Sequence, residues 1–322
     1  MKIGSCTAAT LLLLCWQPAH SQIPTPPPPS PEPGYTINVK VDEVLLHATV
    51  RNRKGTPVAG LERENFQVFE DRVLQQIKHF SHKDIPVTVG LVIDNSGSMR
   101  SRRAEVVAAA LAFAASSNPQ DQMFLVNFNE KVWFGLPQEL AFTDHPDQLR
   151  TAMRTVISNG KTALYDAVIV GLEQLQKGTF DKKVLIVVSD GADNASIHTK
   201  EEMLALAKRS EAIIYGLGIY EPDDAENRHP REALTAMANA TGGEAFFPDM
   251  LRDVKPICER IAGEIRNQYT LSYVPTNHEQ NGAYRAIQVR AATPQGRGLT
   301  VTTRRGYFAP RKPVAQHDIP KL

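Results

Sequence analysis

Cysteine is nearly absent from this chain: three residues in 322, two of which, Cys6 and Cys15, lie within the first sixteen positions. Should that leader be removed, Cys258 stands alone, no internal disulfide can form, and the fold must rest on its core. Charge of one sign is lacking too. Thirty-six basic side chains against 35 acidic ones leave a formal charge of +1. That offers no basic excess for nucleic acid or an anionic membrane surface, and we exclude nucleic acid as a partner. The nine histidines are scattered, without the close spacing of zinc ligands. Beyond the leader no apolar run approaches the roughly 18 residues of a membrane span.

What is present starts with that leader. Lys2, an apolar stretch from Ala8 to Trp16 containing four consecutive leucines, and the small residues Ala19 and Ser21 read as a signal peptide over 1–21. The protein is therefore expected to be exported, periplasmic or extracellular, with no integral membrane segment after cleavage. Cys15 is a poor match to a lipidation box. Residues 22–34 are a proline-rich, extended linker. Nothing in the sequence sets the oligomeric state.

From Tyr35 the texture alternates, with a change of phase near Asp42, and Phe66–Phe69 and Gln76–Phe80 supply two more short strands. This is the first half of a β domain, 35–85. At residue 86 the pattern changes to α/β. Val87–Asp94 is a buried strand ending in Asp94-Asn-Ser96-Gly-Ser98, which places a carboxylate and two hydroxyls at the carboxyl end of a strand, where open parallel sheets bind ligands. Helix 105–115, strand 122–128, antiparallel edge strand 132–136, helix 144–157 and helix 163–176 follow, with Thr162 in the loop before the last of these. The apolar strand 183–189 brings Asp190 to the same edge. Thr199 and Glu202 form a capping box for helix 200–210. Strand 212–219, helix 231–239, strand 244–247 and a helix ending near Arg266 complete the block. In that last helix Val254, Ile257, Cys258, Ile261 and Ile265 make an apolar stripe, so Cys258 reads as a buried, inert thiol. Residues 267–310 return to alternation at 268–274, 284–291 and 299–304, ahead of a short tail at 311–322. Neither β block has enough strands to stand alone. The expected fold is a doubly wound, mostly parallel α/β sheet, 86–266, inserted into a small β sandwich.

Asp94-x-Ser96-x-Ser98, a separate Thr162 in Gly160-Lys161-Thr162-Ala163-Leu164, and Asp190-Gly191 after a buried strand resemble the von Willebrand factor type A domain and its metal-ion-dependent adhesion site. The flanks, with Gly55-Thr56-Pro57-Val58 and Glu70-Asp71 before and Tyr269 to Tyr307 after, resemble bacterial exported von Willebrand factor A-related proteins. Arg72 departs from the glycine expected there and leaves the turn type open. The resemblance implies Rossmann-like topology and a Mg²⁺ ion, with Mn²⁺ or Ca²⁺ as substitutes. Ser96 and Ser98 would bind it directly, and Thr162, Asp94 and Asp190 directly or through water. One coordination position stays open for an Asp or Glu of a protein partner. A second calcium site, which integrin-like relatives build from acids just after the serines, is not expected, because Ser101 and Arg102 stand there. Four basic residues beside the motif, Arg100, Arg102, Arg103 and Lys161, are expected to rim the site and steer an acidic partner. No nucleophile elbow exists, since Gly97 directly precedes Ser98, and a non-enzymatic adhesion or ligand-binding role is the expectation. The alternatives are a Mg²⁺-dependent hydrolase or phosphoryl-transfer enzyme and a scaffold subunit of a larger assembly.

Overall fold

The computed structural model describes residues 43–154, 156–190, 193–220 and 228–311. The signal peptide, the linker, the 35–42 part of the first strand and all but Arg311 of the tail lie outside them. Among the described residues no helix is long and apolar enough to cross a membrane.

Six strands form one sheet. β5 (Thr88–Asp94), β6 (Gln122–Phe128), β8 (Lys183–Ser189), β9 (Ile213–Gly218) and β10 (Ala245–Phe246) run parallel, and β7 (Val132–Phe134) pairs antiparallel at the edge, in the order β10-β9-β8-β5-β6-β7. Every residue of β5 is buried, because helices cover both faces. Leu91 and Ile93 line a small apolar pocket with Val106 and Phe113 of α1 (Arg103–Ser116) and Cys258 of α6 (Val254–Arg266). Val92 and Leu185 point the other way, against Gly171 of α3 (Leu164–Leu175). The period-two alternation of a strand thus feeds two helical layers. Gly90 is required between them, since a Cβ there would lie 2.4 Å from the Phe124 ring. Burial pushes the Cys258 thiol up to about 12, so it stays protonated and inert. The remaining helices are α2 (Pro146–Arg154), α4 (Lys200–Arg209), with the Thr199–Glu202 capping box, and α5 (Arg228–Thr241). Helix α2 stops three residues short of the expected Ile157, and α1 is preceded by a 3₁₀ turn over Gly97–Arg102 that periodicity did not reveal.

The flanking strands join in a second sheet. β1 (Val44–Arg51), β2 (Phe66–Glu70), β3 (Val73–Gln75), β4 (Ile77–Ser81), β11 (Tyr269–Tyr273), β12 (Tyr284–Ala292) and β13 (Gly298–Thr302) run in the order β3-β2-β12-β13-β1-β11-β4, with β14 (Gly306–Phe308) also on β12. The expected sandwich of two stacked sheets does not form. Only Gln76 separates β3 from β4, so one bent strand pairs with β2 at its start and β11 at its end and closes the sheet into a near-barrel. Closure is why Phe66 of β2 and Phe80 of β4, at opposite ends of the strand order, have ring centroids 5.5 Å apart. The β2–β3 turn places Asp71 and Arg72 at φ of 46° and 71°, the two positive angles of a tight hairpin turn. Arg72 adopts the glycine-like conformation, and Asp71 Oδ1 accepts the Ala286 N–H at 2.8 Å.

Inside the barrel Glu70 accepts from Tyr273 Oη at 2.7 Å, Tyr307 Oη at 2.9 Å and Arg285 Nη1 at 3.2 Å. Where the chain passes between the sheets, Arg266 Nε donates to Asp84 Oδ2 at 2.7 Å and His82 stacks on Tyr269. Arg51 bridges Glu244 and Glu264 at 2.6 and 2.7 Å.

Candidate functional site

β5 carries Asp94 to the carboxyl edge of the α/β sheet and turns at once into the 3₁₀ segment. The Asp94 carboxylate is buried and doubly held: Oδ1 accepts the Ser96 N–H at 2.8 Å and Oδ2 accepts the Ser189 hydroxyl at 2.6 Å. Burial pushes its pKa up to about 6. The Ser189 and Ser96 hydrogen bonds pull it back, and the neighbouring Asp190 charge adds to the rise. Ser96 Oγ lies 3.1 Å from Ser98 Oγ, and Ser98 Oγ donates to Asp190 Oδ1 at 2.8 Å. Asp190 is raised by burial too, with Ser98 and Arg102 opposing. The oxygens of Ser96, Ser98 and Asp190 thus form one chain, open to solvent at Ser98, with Asp94 joined to it through the Ser96 N–H.

Thr162 is brought beside them by its loop. Gly97 N–H donates to Gly160 O at 3.1 Å and Asn159 N–H to Asn95 O at 2.9 Å, so the two loops are laced together. Gly160 needs its φ of 79° in that loop. From the far side Asn194 Oδ1 accepts the Thr162 N–H at 2.9 Å, and Asp193 Oδ2 the Tyr165 N–H at 3.0 Å. Thr162 is buried and makes no direct hydrogen bond to the other four.

The expected rim divides in two. Arg100 and Lys161 are exposed, Arg100 donating through Nε to Ser158 O at 3.2 Å. Arg102 and Arg103 turn inward, which corrects their placement on the surface. Arg102 Nη1 lies 2.7 Å from Asp190 Oδ2, with side-chain exposures of 7% and 4%, and Arg103 donates to Asn95 and to the Met153 carbonyl. The reason is local: Arg102 is four residues on from Ser98, whose carbonyl it also reaches at 3.3 Å, so the turn that presents Ser98 carries Arg102 beneath it. Sequence reasoning missed Ser189, Asp193 and Asn194, which hold the site. Polar residues at a strand end and in the loop just past Asp190 were the available signal. Ile157 and Ile197, 76% and 87% exposed, are large apolar side chains on the surface. His198 pairs with Asp166 at 2.8 Å.

The donors are hydroxyl and carboxylate oxygens, the ligand class of hard divalent ions. Among the described residues no three His, Cys, Asp or Glu side chains cluster as a metal site. Six oxygens at 2.0–2.1 Å around Mg²⁺ would be about 2.9 Å apart along each octahedral edge. The Ser96–Ser98 and Ser98–Asp190 separations of 3.1 and 2.8 Å fit that spacing.

Residues 89–192 match the family model of the von Willebrand factor type A domain. Among solved structures, the chain is similar to BatB of Bacteroides thetaiotaomicron (16% identity, 55% of this chain and 98% of that one, TM-score 0.45). It is similar also to a von Willebrand factor type A protein of Catenulispora acidiphila (12%, 83% and 74%, TM-score 0.49). A third is the von Willebrand factor domain of the type V pili tip protein Mfa5 of Porphyromonas gingivalis (14%, 56% and 97%, TM-score 0.47). No curated protein matches it. Over residues 89–192, then, this chain carries a von Willebrand factor type A domain.

Proposed function

We propose that this is an exported binding protein that captures an acidic protein partner through a divalent cation, Mg²⁺ by preference. The observation that carries the reading is the run of oxygens Ser96 Oγ, Ser98 Oγ and Asp190 Oδ1 at one sheet edge, with the Asp94 carboxylate holding the Ser96 N–H beside it. Ser96, Ser98 and Asp190 would hold the ion, with Asp94 and Thr162 directly or through water. When bound, the ion supplies a Lewis-acidic position that takes a carboxylate oxygen from the partner. Asp94 fixes the turn through the Ser96 N–H. Asn194 and Asp193 hold the Thr162 loop, and Arg100 and Lys161 draw an acidic surface in. Export rests on the signal-peptide pattern of residues 1–21.

A binding role without turnover is favoured because both carboxylates are engaged: Asp94 by Ser96 and Ser189, Asp190 by Ser98 and Arg102. Neither is free as a general base. Isothermal titration of the protein with MgCl₂, beside a panel of phosphatase and esterase substrates, tests the reading. Saturable binding that Ser98→Ala and Asp190→Ala abolish is expected. Robust turnover lost in Asp94→Ala would overturn it in favour of an enzyme.

A further inference from the structure

Arg102 is in an unusual place for a cation. Its guanidinium is buried against Asp190, and it sits just ahead of α1, where the helix dipole disfavours positive charge. Burying an arginine carries a desolvation cost that a partner of opposite charge must offset. Asp190 is one such partner: one of its oxygens faces Ser98 Oγ and the other faces Arg102 Nη1. An ion held by Ser98 and Asp190 therefore meets a carboxylate already neutralised by a fixed positive charge.

We propose that Arg102 competes with the divalent ion for Asp190 and thereby sets the affinity of the site. This inference rests on the reading of the cluster as a metal centre. Asp94 and Asp190 alone would give the cluster a charge of −2, and Arg102 reduces it to −1. Affinity of oxygen sites for divalent ions depends on that count of charges, and the repulsion between a guanidinium and a divalent ion sharing one buried carboxylate acts at short range in a medium of low dielectric constant. In the metal-free protein Arg102 holds Asp190 in place and relieves the repulsion between the two acids. In the loaded protein the ion on the Ser98 side draws charge from the same carboxylate, and the hold of the guanidinium on Asp190 Oδ2 weakens. Arg102 is thus a residue that determines ion affinity and lets the domain stay folded without the ion.

The test is titration calorimetry with MgCl₂, together with thermal melts in EDTA and in MgCl₂, on the full chain and on Arg102→Gln, Arg102→Lys and Asp190→Asn. Arg102→Gln is expected to bind Mg²⁺ about tenfold or more tightly than wild type, to melt below wild type in EDTA and to recover in MgCl₂. Arg102→Lys, which keeps the charge, should stay within a few-fold of wild type. Equal or weaker binding by Arg102→Gln, with wild type binding normally, overturns the role of Arg102 and leaves the metal centre standing. No binding by wild type or by Arg102→Gln overturns the metal centre itself. A measurement that needs no variant to fold is side-chain NMR of ¹⁵N-arginine wild-type protein. Saturating Mg²⁺ should speed hydrogen exchange at one protected guanidinium. Calorimetric saturation with every guanidinium signal unmoved overturns the competition.

Discussion

Two of the buried arginine–carboxylate pairs of this molecule are built differently. In the barrel, Glu70 is surrounded: two tyrosine hydroxyls and Arg285 donate to it, and Arg285 donates in turn to the Asn277 and Glu279 carbonyls at 2.5 and 2.6 Å. At the sheet edge, Asp190 has Arg102 on one oxygen and the hydroxyl of solvent-facing Ser98 on the other. Both carboxylates are nearly sealed. One pair is closed by strands on every side, and the other leaves one face of its network within reach of a ligand. A charge pair closed all round can only stabilise the fold, whereas one left open at an edge can be exchanged.

The largest expected effect comes from breaking the closed pair. Arg285→Met strands Glu70 in the barrel and should cost about 3–5 kcal/mol, lowering the melting temperature by roughly 10 °C. Calorimetric scans should show the loss unrelieved by Mg²⁺. Second comes acidity. The raised pKa of Asp94, about 6, means that the folded chain holds this proton more tightly than the unfolded chain does. Its contribution is most favourable below about pH 4 and is lost as the pH rises through 6, a change of up to about 3 kcal/mol. Urea denaturation in EDTA across pH 4–7 should show wild type losing stability relative to Asp94→Asn by that amount, and Mg²⁺ should reverse the trend by favouring the ionised carboxylate. Third is the ion itself. At a hundredfold excess over Kd, Mg²⁺ should stabilise wild type by about 2.7 kcal/mol, and equal, flat melting curves for wild type and Asp190→Ala would refute the site. The smallest effect on stability belongs to the exposed rim. Arg100→Glu with Lys161→Glu should shift stability by no more than about 0.5 kcal/mol and leave Mg²⁺ binding intact. Once an acidic partner is identified, stopped-flow association should be slower for this double variant and less sensitive to salt.

The open edge was easier to read from the sequence than the closed barrel. β5 and β8 are continuous apolar runs, and Asp94 and Asp190 follow them directly, so strand direction alone sends both to one edge. Arg102 was misplaced because a position beside the motif was taken for a surface one, while Gly97–Arg102 winds as a 3₁₀ turn that carries Arg102 beneath Ser98. The barrel was taken for a sandwich because alternation reports which face a residue occupies, not whether a sheet closes. The bend at Gln76 changes partners without changing pattern. β3 and β14, three residues each, are too short to show a period.

The α/β segment leaves the barrel from β4 and returns in β11, and these are adjacent antiparallel strands with Ser81 opposite Thr270. In the barrel's own terms, residues 82–268 are the loop of a single hairpin. Closing so long a loop from an unfolded chain is entropically unfavourable, but a segment that has already folded with its ends side by side removes most of that cost. The barrel should therefore be the slower partner in folding, with its two halves joined only after the inserted segment has brought them together. Pulse-labelled hydrogen exchange during refolding should protect the amides of β5 and β8 before those of β1 and β11, and the clasp of Arg266 on Asp84 marks where the two events meet.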